Sequence, residues 1–119
     1  MVNYKNYSVW QKSHSLVLKI YKELSSFPKE EQFNLISQIK RASLSIPTNI
    51  AEGCGRETQK ELLRFLYISS GSAHELDYLI LVSMKLGFIS KEAADSLLDE
   101  IQEIKKMLAS LINKIKLTL

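Results

Sequence analysis

Chain-breaking residues are scarce in this sequence and gather in one place. The 119 residues hold four glycines and two prolines, and the stretch 45–61 (SIPTNIAEGCGRETQKE) contains Pro47, Gly53 and Gly55. A sheet of many strands needs turn residues every few positions. Breaks this rare leave long elements, and the apolar residues between them recur at the helical period. The expected fold is all-α: an antiparallel up-down-up-down four-helix bundle, one domain over residues 1–119.

The first helix is expected from Val9 to Ser25, opened by a Ser8–Gln11 capping box. Trp10, Val17, Ile20, Tyr21 and Leu24 share one face, with Lys12, Lys19 and Lys22 roughly opposite. Pro28 fits the first turn of a second helix, where its missing N–H costs nothing, and Glu30 and Glu31 suit the positive end of the dipole. Phe33, Ile36, Ile39, Ser43, Ile46 and Ile50 carry its stripe onward.

That stripe does not stop at Pro47, so the spacing predicts one helix kinked there. The proline removes the bond to the Ser43 carbonyl and crowds it, at about 3 kcal/mol in an isolated helix. Ser43, Ser45, Thr48 and Asn49 are candidate partners for the freed groups. Gly53 or Gly55 is expected to end the helix in the left-handed conformation. Thr58 and Glu61 form a second capping box and open helix three, expected to run to about Leu86. Ser90 opens helix four, which continues to about Leu117. Its apolar face runs from Ala94 through Leu97, Leu98, Ile101, Ile104, Leu108, Leu111 and Ile112 to Ile115, with acids early and lysines late.

Helix three has two notable faces. At about 100° per residue, Leu62, Phe65, Leu66, Ser69, Ala73, Leu76, Ile80 and Ser83 cluster inward. The opposite side carries Lys60, Arg64, Tyr67, Gly71, His74, Tyr78 and Lys85, with Leu63, Leu81 and Val82 beside them. A solvated back face would carry Glu, Lys and Gln. Three readings stand: an exposed face with tyrosines lying over neighbouring helices, a subunit interface, and a surface where bases stack on tyrosine and phosphates meet Lys60 and Arg64. Gly71 costs about 1 kcal/mol relative to alanine inside a helix, and close approach of another helix is the expected reason.

The net charge of +3 permits an anionic partner without requiring one. A single cysteine excludes an internal disulfide. Neither His14 nor His74 has a glutamate three residues before it, as di-iron bundles require, so no metal and no cofactor is expected. GCGRE lacks the pattern of a phosphate loop. Asn49, Glu52 and Arg56 fall near one another around the corner, with Glu52 and Arg56 an expected ion pair. Cys54 reads as a small residue filling the corner, since no base accompanies it. No catalytic residues are expected. The N-terminal sequence lacks the apolar run of a signal peptide and no segment has membrane-spanning character, so a cytoplasmic protein with no membrane contact is expected.

QIKRASLSIPTNIAEGCGR, followed by RFLYISSGSAHELDYLILVSMKLGFIS, resembles the bacterial four-helix-bundle family of 23S rRNA intervening-sequence proteins. The similarity spans nearly the whole chain. A related branch looks like the accessory protein of diversity-generating retroelements, a pentameric barrel with a basic surface that binds a reverse transcriptase and nucleic acid. The resemblance implies a homo-oligomer, a pentamer by that analogy, with no catalytic residues to carry over. Its matching basic positions are Arg41 and Arg56, while Lys40 stands where the family often has arginine. The expected function is a non-catalytic scaffold or adaptor for RNA, DNA or a nucleic-acid enzyme; the alternative is a protein–protein module with no nucleic-acid role. Candidate nucleic-acid contacts are Lys12, Lys19, Lys22, Lys40, Arg41, Arg56, Lys60 and Arg64. Candidate interface residues are Leu63, Tyr67, Gly71, His74, Tyr78 and Leu81. Pro47, Asn49, Glu52, Gly53, Gly55, Thr58 and Glu61 build the corner.

Overall fold

The structure, a computed structural model, describes residues 2–119. Four α-helices carry the chain: α1 (Ser8–Glu23), α2 (Leu35–Cys54), α3 (Gln59–Lys85) and α4 (Lys91–Lys116). Short 3-10 turns lie at Tyr4–Asn6, Leu24–Ser26 and Lys29–Glu31. Each helix packs on the next and α4 returns to α1, the cyclic order of a four-helix bundle. No strand occurs among the described residues.

The inward face of α3 is the one the wheel predicts, with Leu66, Ser69, Ala73, Leu76 and Ser83 at 0% exposure, and Leu79 joins it. Facing them are Ile39, Ile46 and Ile50 of α2 and Ile101, Ile104 and Leu108 of α4, all fully buried. Ser13, Ser43, Ser69 and Ser83 are buried too, and each hydroxyl donates to a carbonyl. Three of these bonds stay within one helix. The fourth, from Ser69 Oγ to the Ile46 carbonyl at 2.9 Å, crosses from α3 to α2.

α2 continues unbroken through Pro47. The carbonyls engaged by local side chains are those of Lys40, by Ser43, and Ser45, by Asn49, rather than that of Ser43. Ser45 Oγ also accepts from Asn49 and from Ser72 of α3, so a second polar link joins the two helices. Neither Gly53 nor Gly55 is left-handed. Gly55 caps α2 at φ −83°, and the positive-φ glycine is Gly87, at +79°. Gly53 serves closeness instead: a Cβ there would lie 2.9 Å from both Leu62 Cδ1 and Phe65 Cβ. Gly87 ends α3 in a Schellman motif, with Phe88 N–H on the Ser83 carbonyl and Gly87 N–H on that of Met84. Thr58 Oγ1 accepts from Glu61 N–H, and Ser90 Oγ from Ala93 N–H, so α3 and α4 both begin on side-chain caps.

The early part of the chain departs from expectation. α1 is capped by Tyr7 without a side-chain bond, and Gln11 Nε2 donates to the Lys5 carbonyl instead of closing a box with Ser8. The buried stripe of α1 is Val9, Ser13, Leu16, Val17 and Ile20, rotated away from Trp10 and Tyr21. Trp10 stacks on His14 at the rim, and Tyr21 lies 39% exposed beneath Lys40. After Pro28 the chain makes a single 3-10 turn and resets at Asn34, so α2 begins at Leu35. That reset leaves Phe33 91% exposed, while Phe27 is buried against Phe88.

The two helical glycines make opposite predictions. Gly53→Ala forces a Cβ into Leu62 and Phe65 and is expected to destabilise the protein by about 1–3 kcal/mol. Gly71 has nothing within 4 Å of an added methyl, so Gly71→Ala is expected to stabilise the protomer by about 1 kcal/mol. Chemical denaturation of both variants checks the pair.

Candidate oligomer and nucleic-acid interface

The corner between α2 and α3 fixes the roll of α3, and so decides which residues point outward. Lys60, Arg64, Tyr67, Gly71, His74, Tyr78, Leu81 and Lys85 follow one another at alternating steps of four and three residues. That is the spacing of a seam another helix can pack along. Tyr78 is 64% exposed, Tyr67 47% and Leu81 39%, and Ile68, which the wheel did not select, is exposed beside them. Leu63 is only partly buried, packed on the core edge. His74 Nδ1 lies 2.8 Å from the Ser70 carbonyl, which fixes its ring along the helix. Within the protomer nothing approaches Gly71. Tyr67 is not bare: Lys116 Nζ lies 5.4 Å from its ring centre.

The cations divide into two groups. Lys12 pairs with Glu103 and Lys19 with Glu100, each at 3.0 Å, so these two tie α1 to α4. Lys22 and Arg41 are exposed with no acid partner among the described residues, and Lys40 lies over Tyr21. Arg56 stands 4.0 Å from Glu52, a loose pair on the surface, while Asn49 bonds Ser45 and takes no part in it. The guanidinium carbons of Arg56 and Arg64 lie 4.9 and 5.6 Å from the Phe65 ring centre. Two arginines thus converge on one half-wrapped aromatic, with Lys60 a turn away.

α3 starts at this end of the bundle, and antiparallel α4 finishes there. Lys114 and Lys116 therefore join Arg56, Lys60 and Arg64, against Glu52, Glu57 and Glu61. The α4 lysines were not among the expected contacts, since their late position is also what a helix dipole favours. The signal available in the sequence was the topology: a fourth helix must end beside the start of the third.

A family model described as 23S rRNA-intervening sequence protein matches residues 5–110. The chain belongs to that family. A crystal structure of a protein with unknown function from the S23 ribosomal protein family of Bacteroides thetaiotaomicron VPI-5482 superposes with a TM-score of 0.79 at 28% identity. The match covers 87% of this chain and 97% of that one. No curated protein matches the chain.

For this intervening-sequence family member, the titratable groups near the seam are structural. Asp77 accepts from Lys105 Nζ and from Gln102 Nε2, linking α3 to α4. Burial acts to raise its carboxyl, but the hydrogen bonds from Lys105 and Gln102 and the charges of Lys105 and His74 outweigh it and hold it below 3.8. Cys54 is 5% exposed, and burial pushes its thiol up, away from the reactive thiolate. Cys54 and Arg56 line a hollow of about 520 Å³ that Glu52 does not line, so the three do not form one site. Among the described residues no helix is long and apolar enough to cross a membrane.

Asp77 sets a pH dependence. Its folded pKa lies below the unfolded value, so its contribution is present above 3.8 and is lost as pH falls through the lower folded value. Asp77→Asn is expected to cost roughly 1 kcal/mol at pH 7. The gap from wild type should close as pH drops below 3.8, read from urea midpoints at both pH values.

Proposed function

We propose that this chain is a non-catalytic homo-oligomeric scaffold that meets its copies along the outward seam of α3 and holds RNA or DNA at the basic end of its bundle. The observation that carries this is one helix face: two exposed tyrosines around an uncovered glycine, continuing into Arg64 and Lys60. Tyrosine, arginine and histidine suit protein interfaces, and an open glycine allows a second backbone to approach. Assembly would repeat the basic end around a ring and raise its local potential beyond what one protomer supplies. Family resemblance adds the expectation of a pentamer and of a reverse transcriptase or similar nucleic-acid enzyme as protein partner. The reading as non-catalytic is supported by the burial of Cys54, which pushes its thiol up.

A second reading, a protein–protein module with no nucleic-acid role, is favoured by the pairing of Lys12 and Lys19 with α4 carboxylates. That pairing takes two of the eight candidate phosphate contacts out of play, leaving Lys22, Lys40 and Arg41 toward the α1–α2 connection and Arg56, Lys60 and Arg64 at the corner.

The two halves are tested separately. Structured RNA is expected to bind at low salt, and replacing Arg56, Lys60 and Arg64 by Gln should flatten the slope of log affinity against log salt by about 3. Lys12→Gln with Lys19→Gln should leave it unchanged. No binding of wild type at low salt rejects the nucleic-acid half. For assembly, Tyr67→Glu with Tyr78→Glu is expected to yield protomers of 13.6 kDa in a native mass measurement. A wild-type protein already of that mass rejects the oligomer.

A further inference from the structure

We propose that the hollow between the first turn of α1 and the last three turns of α4 binds a small amphipathic anion, an apolar chain or ring that ends in a carboxylate. The hollow encloses about 550 Å³, inside the range of small-molecule sites. Its floor is apolar: Met107, Leu111 and Ile115 repeat every four residues along α4, and Val9 closes it from α1. Lys106 and Lys114 stand at its two ends, eight residues or about 12 Å apart along the helix.

Neither lysine has an ion-pair partner among the described residues, and no acid lines the hollow. Tyr7 and Ser110 add hydroxyls at the rim. Burial raises the Tyr7 hydroxyl, which keeps it a neutral donor. The site therefore offers apolar area for a body and a cation at either end for a head, so charge complementarity selects an acid and excludes an amine.

Two other occupants fit less well. A partner helix would cover the apolar floor but would meet both lysines only if it carried an acid opposite each. A nucleic-acid backbone would use the lysines and leave the Met107–Leu111–Ile115 floor without a partner. The inference does not rest on assembly, because none of its residues lies on the α3 seam, and Lys114, which also stands at the basic end, is tested here against dodecanoate with no nucleic acid present.

Dodecanoate, kept below its micelle concentration and titrated calorimetrically into the full chain, tests it. One molecule is expected to bind per protomer, with dodecylamine not binding. Lys106→Gln with Lys114→Gln should weaken binding at least tenfold. Ser110→Glu, at an exposed position that leaves the fold intact, should abolish it, with circular dichroism confirming helicity. No binding, equal binding by the double variant, or equal binding of dodecylamine overturns the site. So does a fall in native mass in Ser110→Glu without dodecanoate binding to wild type, which assigns the hollow to a second copy. Lysine-dependent pelleting with phosphatidylglycerol vesicles in place of dodecanoate binding also overturns it, in favour of a lipid surface.

Discussion

The bundle rests on how closely α2 and α3 approach at their shared corner. A β-carbon at Gly53 would have no room against Leu62 and Phe65, so the last turn of α2 lies directly on the first turns of α3. Farther along, Ser69 donates to the Ile46 carbonyl in a fully buried bond, one residue before Pro47. A buried hydroxyl without that acceptor would cost about 1–3 kcal/mol, so the bond selects one register of the two helices over its neighbours. Ser72 and Ser45 repeat the link at the half-buried edge. With two separated ties and a close packing point, α3 cannot roll. Its inward residues are then settled, and Tyr67 and Tyr78 are outward by the same constraint.

How much of this was legible depended on element length. α3 has 27 residues without a break, so a period of 3.6 assigns its faces with little accumulated error, and the inward set named from sequence is buried throughout, Leu79 alone being missed. α1 is shorter, and two large aromatics pulled its expected stripe sideways. Trp10 and Tyr21 are amphipathic side chains that settle at rims, where Tyr4, His14 and Lys40 meet their rings. The start of α2 was misplaced for another reason. Proline followed by two glutamates is a sound start signal, but it does not tell an α-helix from one 3-10 turn. The turn at Lys29–Glu31 stops after three residues, and Asn34 restarts the phase. Gly53 shows the same limit: a glycine near a helix end signals either a left-handed cap or a close contact, and only the partner helix decides.

Charge was legible in amount and not in disposition. A cation's position on a helical wheel says that it faces outward and nothing about the neighbour across the groove. Lys12 and Lys19 look as available as Arg64 in the sequence, yet both reach carboxylates on α4, more than eighty residues away. Conversely, the lysines that end α4 look like dipole complements and turn out to sit beside the start of α3. The modest total of +3 thus conceals an uneven disposition, with Lys12 and Lys19 paired to α4 while Lys22, Arg41, Lys60 and Arg64 have no acid partner among the described residues.

The two seam tyrosines are not equivalent, and the difference orders what can happen on that face. Lys116 lies over Tyr67, an exposed cation–π contact worth about 0.5–1 kcal/mol. Stacking a base on that ring is worth about 1–3 kcal/mol, enough to displace the lysine, which would then be free to meet the phosphate beside the base. Tyr78 has no such cover and is the more exposed of the two. His74 and Asp77 beside it belong to helix-fixing hydrogen bonds, and the next cation along the seam, Lys85, lies seven residues on. The same helix therefore divides by distance from the corner: the Tyr67 end sets a ring among Lys60, Arg64 and Lys116, and the Tyr78 end sets a more exposed ring beside Leu81 with one lysine, Lys85, two turns beyond it.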